Sequence, residues 1–305
     1  LQPGDEVIVT NQDHEANVGA WRRLAEHGMV IKEWQINANT AELEIDDLKS
    51  LLSNKTKIVA VTHCSNIVGS INDLKSIAKL VHEYDAYIVG DGVSYAPHGF
   101  PDVKDLGVDF YAFSLYKTYG PHLGLLYGKK EILDLLPNQN HEFLEGDVPY
   151  TLNPGGPNHE ELSCLIGVYE YFNNLFEHHF PGQEGSVREK IVAVNELIAH
   201  HEMEIANPLL DYINSRDDIN LIGKNQISNK DRAPTIAFTM NNKSSKELSS
   251  NLVKHGIATR NDNFYAWRCL KALGIDVDDG VVRTSMVHYN THEDVDNLIS
   301  ALKKI

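Results

Sequence analysis

Short apolar runs alternate with amphipathic stretches through the first half of the chain. Glu6–Thr10 (EVIVT), Lys57–His63 (KIVAVTH), Tyr87–Asp91 (YIVGD) and Asp109–Ser114 read as strands, since brief apolar runs rich in β-branched residues fit the middle of a buried sheet. Glu15–His27 carries Ala16, Trp21, Leu24 and Ala25 at roughly helical spacing, and Asn72–Tyr84 puts Leu74, Ile77, Ala78 and Val81 on one helical face. Strands alternating with helices predict a mainly parallel sheet covered on both sides. One link breaks the rhythm. Leu123–Gly128 (LGLLYG) follows Ser114 after only eight residues, whereas a parallel crossover takes about a dozen or more. That pair is therefore expected to be antiparallel, with Lys117 in its connecting loop.

A Pro/Gly-rich loop at Tyr150–Glu160 interrupts the pattern, and a helical stretch runs from about Glu161 to His178. Past a second break, Val187–Ser215 reads as one long helix. Shorter strand-like runs, Thr235–Thr239 and Val281–Met286, then alternate with helical Ser245–His255 and His292–Lys303. The expected division is a large domain over 1–185 and a smaller C-terminal α+β domain over 186–305.

Polar residues gather where the predicted strands end. His14 follows the first, Asn66 the second, Asp91 ends the third, and Ser114, Tyr116 and Lys117 close the fourth. Open α/β sheets bind ligands outside the carboxyl ends of their strands. Lys117 lies among Phe113, Tyr116 and Tyr119, where burial disfavours the ammonium form, and a neutral amine condenses with an aldehyde. With an acid ending a neighbouring strand, the pair points to pyridoxal phosphate: Lys117 as the Schiff-base amine, Asp91 as the partner of the pyridine nitrogen.

Composition narrows the partners. A formal net charge of −16 argues against nucleic acid or an anionic membrane, and no run of about 18 apolar residues suggests a membrane span. Cys64, Cys164 and Cys269 are far apart with no metal-like spacing; a reduced, cytoplasmic setting is expected. Adjacent histidines such as His200–His201 diverge on a helix and make poor chelates, so no metal is expected. A start at Leu1, so near the first strand, reads as a segment of a longer protein.

The runs Asp13–Asn17 (DHEAN), Thr62–Ser70 (THCSNIVGS), Val89–Gly99, Asp109–Gly128, Gly155–Asn158 (GGPN) and Val281–Leu298 together resemble the class V aminotransferase and cysteine desulfurase family, pyridoxal phosphate enzymes of fold type I. The likeness spans essentially the whole chain. It implies Lys117 as the Schiff-base lysine, Asp91 as the acid that keeps the pyridine nitrogen protonated, and His14 as the ring-stacking histidine that relays protons. It implies Asn66 near the ring hydroxyl and substrate carboxylate, Ser114 on the phosphate, and Arg283 on the substrate α-carboxylate, where a planar fork suits two oxygens. A homodimer is implied as well, the Gly155–Asn158 loop serving the neighbouring subunit.

Several positions depart from the family pattern. Tyr116 stands where histidine is usual and still offers a donor to phosphate. Ser94 replaces a glutamine, leaving a shorter or water-mediated ring contact. Gly156 replaces a threonine, leaving only a backbone donor for the phosphate. The desulfurase cysteine is missing: its loop corresponds to Thr259–Ala266, with Tyr265 at or near that position and Cys269 four residues on. The glycine-rich turn that cradles the phosphate in the family would precede Leu1.

Each residue also has a plain structural reading. Lys117 fits an ordinary loop, Asp91 a turn cap and His14 a helix cap; Asn66, Gly155 and Gly156 fit turns, Ser114 and Tyr116 packing, and Arg283 a structural ion pair. Phe113, Tyr119 and Trp21 are expected in the core. The expected activity is aminotransfer or C–S lysis on an amino acid or related amine. The alternatives are cysteine desulfuration and a non-catalytic scaffold of the same fold.

Overall fold

The structure is a computed structural model that describes residues 1–147, 150–153, 155–228 and 230–305. Six strands form the larger sheet: β1 (Glu6–Thr10), β2 (Val30–Trp34), β3 (Thr56–Thr62), β4 (Tyr87–Asp91), β5 (Phe110–Ser114) and β6 (Gly124–Gly128). Their order is β2-β1-β3-β4-β5-β6. The first five are parallel, and β6 runs antiparallel to β5, as the short connection requires.

Both faces of this sheet are covered, which explains why the strands are apolar throughout rather than alternating. Ile8, Val59, Val61 and Ile88 pack under Leu74, Ile77 and Val81 of the Leu74–His82 helix. Val7, Val9 and Ala60 pack on the other face against Val18, with Trp21 and Leu24 partly buried beside them. Asp73 caps the Leu74–His82 helix by accepting from the Ser76 amide at 3.1 Å, the usual service of an N-cap carboxylate to an orphan amide.

Four strands form the second sheet: β7 (Ile219–Leu221), β8 (Thr235–Met240), β9 (Arg260–Asp262) and β10 (Val281–Ser285), in the order β7-β8-β10-β9 and antiparallel throughout. Alternation sorts its two faces. Ile236, Phe238 and Val282 pack with Ile205, Leu209, Leu248 and Leu298 of the covering helices. Ala237 and Val281 point the other way, onto Ile67, Val68 and Phe264. That second face holds the small sheet against the loop leaving β3.

Some expectations need correction. The helix expected over Glu15–His27 is three pieces: a 3₁₀ turn at Glu15–Asn17, an α-helix at Gly19–Arg23 and a 3₁₀ turn at Leu24–His27. Val18 and Gly19, both poor helix formers, mark the first break. The stretch expected from Glu161 is divided at Cys164 into His159–Ser163 and Leu165–His179. Strand β2 and the seven-residue helix Ile45–Leu51 have no counterpart in the sequence reading. β2 is an edge strand whose Lys32 pairs with Glu6 at 2.7 Å, so its charges hide the strand pattern. The long helix holds, over Val187–Asn214, closed at its start by a reciprocal Ser186–Glu189 cap.

Candidate functional site

Register fixes the site before any side chain is considered. Thr62 lies opposite Asp91 across β3 and β4, and Asp91 opposite Ala112 across β4 and β5. The carboxyl ends of the parallel strands therefore finish together. A cavity of about 140 Å³ opens there, lined by His14, Asn66, Asp91, Ser94, Ser114, Tyr116 and Lys117, with Thr62 and Cys64 in its wall. Larger cavities lie elsewhere, one of about 310 Å³ beside Thr259 and Thr284, but none of the predicted residues lines it.

Lys117 sits in the 3₁₀ turn Leu115–Thr118 that follows β5. Its amine makes no hydrogen bond or ion pair with the described residues. Burial, then the nearby Arg283 charge, pulls its pKa below the ordinary lysine value, while Asp91 pulls the other way. Asp91 accepts a single hydrogen bond, from the Val93 amide at 2.9 Å. Burial raises its pKa, and no cation sits close enough to cancel that. The turn-cap reading of Asp91 is thus correct as geometry and leaves most of the carboxylate's accepting capacity unused.

Gly92, the next residue, has a structural reason of its own. A Cβ there would come within 2.1 Å of the Tyr111 ring, and Tyr111 is held by its hydroxyl at 2.7 Å from His63 Nδ1.

His14 caps the following 3₁₀ turn, its Nδ1 accepting from the Ala16 amide at 3.0 Å. Its ring lies 5.3 Å from that of Tyr265, and burial lowers its pKa. Asn66 is buried; its Nδ2 donates to the Phe264 carbonyl at 2.9 Å, and its Oδ1 has no partner among the described residues. Arg283 donates to the Asn66 carbonyl at 3.0 Å and lies 3.9 Å over the Phe264 ring. No carboxylate among the described residues neutralises it, so the structural ion pair allowed by the sequence is absent. Burial lowers its pKa to about 10.

Tyr116 is 48% exposed at the rim, and its ring is 5.0 Å from His122. Phe113, Tyr119 and Trp21 are partly buried against core clusters. Gly156 is not brought to the cavity: it is exposed, with open space around it. Pro154, in the same predicted loop, lies outside the described residues.

The sequence reading missed three groups. Cys64 lies in the cavity wall, its thiol pushed by burial up to about 12. Phe264 and Tyr265, the second singled out by the sequence only as the counterpart of the missing cysteine, both hold left-handed backbone, at φ 51° and 58°, a conformation costly for bulky residues. The Tyr265 carbonyl accepts from Glu15 at 2.7 Å, tying this strained corner to the His14 turn. Asp13 is the third: it is 1% exposed, accepts from Thr10 and from Asn17, and burial raises it to about 7. Its place inside DHEAN was the only available signal.

Two buried carboxyls with raised pKa values set the sign of a pH effect. A carboxyl raised in the folded state binds its proton more tightly there than when unfolded. Its stabilisation is complete below the ordinary value of 3.8 and is lost as pH rises toward about 7. Asp13→Asn should therefore gain stability relative to the parent between pH 5 and pH 8, by about 2–3 kcal/mol. Urea unfolding of both proteins at the two pH values checks this; parallel shifts would show that Asp13 is ionised throughout.

Similarity to known proteins agrees with this geometry. The family model described as aminotransferase class V matches residues 1–148 and 192–298. An aminotransferase-like protein of Gibberella zeae is 40% identical over 312 aligned positions, which cover 100% of this chain and 73% of the relative. A cysteine desulfurase of Yersinia pseudotuberculosis is 30% identical, covering 100% of this chain and 72% of its own. The solved cysteine desulfurase of Escherichia coli superposes with a TM-score of 0.81 at 27% identity, covering 100% of this chain and 72% of that one. The chain belongs to the class V aminotransferase family, whose members, cysteine desulfurases among them, depend on pyridoxal phosphate.

Proposed function

We propose that the chain is a pyridoxal phosphate enzyme that acts on an amino acid or related amine by aminotransfer or C–S lysis, with Lys117 as its covalent anchor. The observation that carries this is the convergence of a half-buried, unpartnered amine and an under-bonded carboxylate in one cavity. The residues present fit the cofactor. Asp91 lacks the cation that a protonated pyridine nitrogen would be, and Asn66 Oδ1 lacks the donor that a ring hydroxyl would be. Ser114, Ser94 and Tyr116 offer hydroxyls for a phosphate or ring contact. Gly156 would contribute a backbone amide to a neighbouring subunit in a homodimer. Exposed apolar residues such as Leu126 and Ile166, 53% and 63% accessible, support that second copy. The proposed domains are 1–185, carrying the cavity, and 186–305, carrying Arg283; the free cysteines support a cytoplasmic setting.

When bound, the cofactor supplies an electron-withdrawing ring that accepts the charge left on the substrate α-carbon. The chain's own residues do the rest. Lys117 would hold the cofactor through its Nζ amine, and the same amine is the group placed to take or return a proton at the substrate α-carbon. Asp91 would hold the ring nitrogen in its protonated form by supplying a fixed counter-charge. His14 covers the ring face, and Arg283 holds the substrate carboxylate with its free N–H groups. Protein purified with pyridoxal phosphate should show a visible absorption band, and borohydride should fix the cofactor on Lys117. Failure of both would leave the scaffold reading.

Cysteine desulfuration is the second reading, favoured by the named relatives. Cys269 does not support it. It is fully buried in the small-sheet core, and burial raises its thiol to about 12, while the attacking species must be a thiolate. Cys269→Ala should leave sulfide release from cysteine unchanged and cost about 1 kcal/mol through the cavity it leaves. Loss of sulfide release in a folded variant would restore Cys269 to the reaction.

A further inference from the structure

Arg283 and Arg260 lie directly opposite each other across the antiparallel strands β10 and β9. Directly paired residues share one face, with Cβ atoms about 4.5–5.5 Å apart, and like charges so placed repel. The face is fixed by alternation. Val282 is buried with the helices covering the small sheet, so Arg283 and Arg260 project from the opposite side. That side packs on the loop that carries Asn66, and Asn66 in turn lines the cavity, although neither arginine does.

This chain has 43 acidic residues against 27 basic ones, yet none pairs with either arginine among the described residues. The nearby acids are engaged elsewhere. Asp262, on the same face as Arg260, accepts from the Asn263 amide at 2.7 Å, and Glu15 pairs with Arg268 at 2.9 Å. Arg283 spends one N–H on the Asn66 carbonyl. Arg260 is exposed on the edge strand, and its side chain makes no hydrogen bond or ion pair with the described residues. Two adjacent guanidinium groups left without acid favour the approach of anionic groups.

We infer that Arg283 and Arg260 together select a substrate with two acid groups, Arg283 taking the α-carboxylate and Arg260 the side-chain acid, so that the amino acid used is a short dicarboxylic one. This rests on the reading of the cavity as an amino-acid site. The acids of a short diacid are separated by two or three methylenes, a span suited to neighbouring side chains on one strand pair.

The test is calorimetric titration of the full chain, with and without added pyridoxal phosphate, using succinate, glutarate and butyrate at constant ionic strength. The expected result is that a diacid binds about tenfold or more tightly than butyrate. Arg260→Ala and Arg260→Gln should reduce diacid binding to the butyrate level and leave butyrate itself unchanged. Lys254→Ala, which removes an exposed cation on a neighbouring helix, should preserve the diacid preference. Equal binding of diacid and monoacid would overturn the inference. So would an Arg260 variant that weakens both alike, which would mean that both arginines grip one carboxylate. Because binding is read without the lysine-bound absorption band, a missing band would count against the proposed function and leave this result to stand separately.

Discussion

Lys117→Ala should lower turnover by about 10³-fold or more and abolish borohydride fixation of the cofactor. The reason is that nothing else in the cavity can replace its amine: the remaining cationic group nearby, Arg283, stays protonated at neutral pH. Lys117→Arg should be equally inactive although it keeps the positive charge, which separates the amine's nucleophilicity from its electrostatics. The pH dependence has a definite sign. Burial disfavours the Lys117 ammonium form, so its reaction with an aldehyde should reach full rate at a lower pH than that of a free lysine. Mass spectrometry of the borohydride-treated protein reads the attachment site directly. Attachment at another lysine, or retained turnover in Lys117→Ala, would end the proposed function.

Asp91→Asn should cost about 10²–10³-fold in turnover while Lys117 still takes up the cofactor. The asparagine keeps the size and the contact to Val93 but removes the charge proposed to hold the ring nitrogen protonated. Its effect on the cofactor-free protein should be opposite in direction. The carboxylate is buried with one backbone hydrogen bond, and removing an uncompensated buried charge does not destabilise. Thermal unfolding without cofactor should therefore show an equal or higher midpoint for the variant. Turnover within threefold of the parent would assign Asp91 to the turn alone.

The reach of the sequence follows from the range of the interactions involved. His14, Asn66, Asp91 and the Ser114–Lys117 run were legible because each follows an apolar strand, and strand ends on one sheet edge meet whatever the details of the loops. Arg283 was legible as a charge inside an apolar strand. The antiparallel β5–β6 pair was legible from the length of its connection. What escaped depends on distant contacts or on weak local patterns. Asn66 is bonded to Phe264, 198 residues away, and nothing local marks Phe264 or Tyr265 for left-handed backbone. Cys64 reads as an ordinary member of a polar run until β3 and β4 are aligned. Strand β9 has three residues, too few for a period, so the opposition of Arg260 and Arg283 was invisible.

The cap that His14 provides decides where its hydrogen must be. The Ala16 amide only donates, so the Nδ1 atom 3.0 Å away presents its lone pair. The uncharged imidazole is thereby confined to the tautomer protonated on Nε2, and burial, by lowering the pKa, favours that uncharged form. Such a ring meets its other neighbours as a giver. It can steady an oxygen anion beside it, but it has no vacant nitrogen with which to strip hydrogen from carbon. In the proposed reaction that duty falls to Lys117.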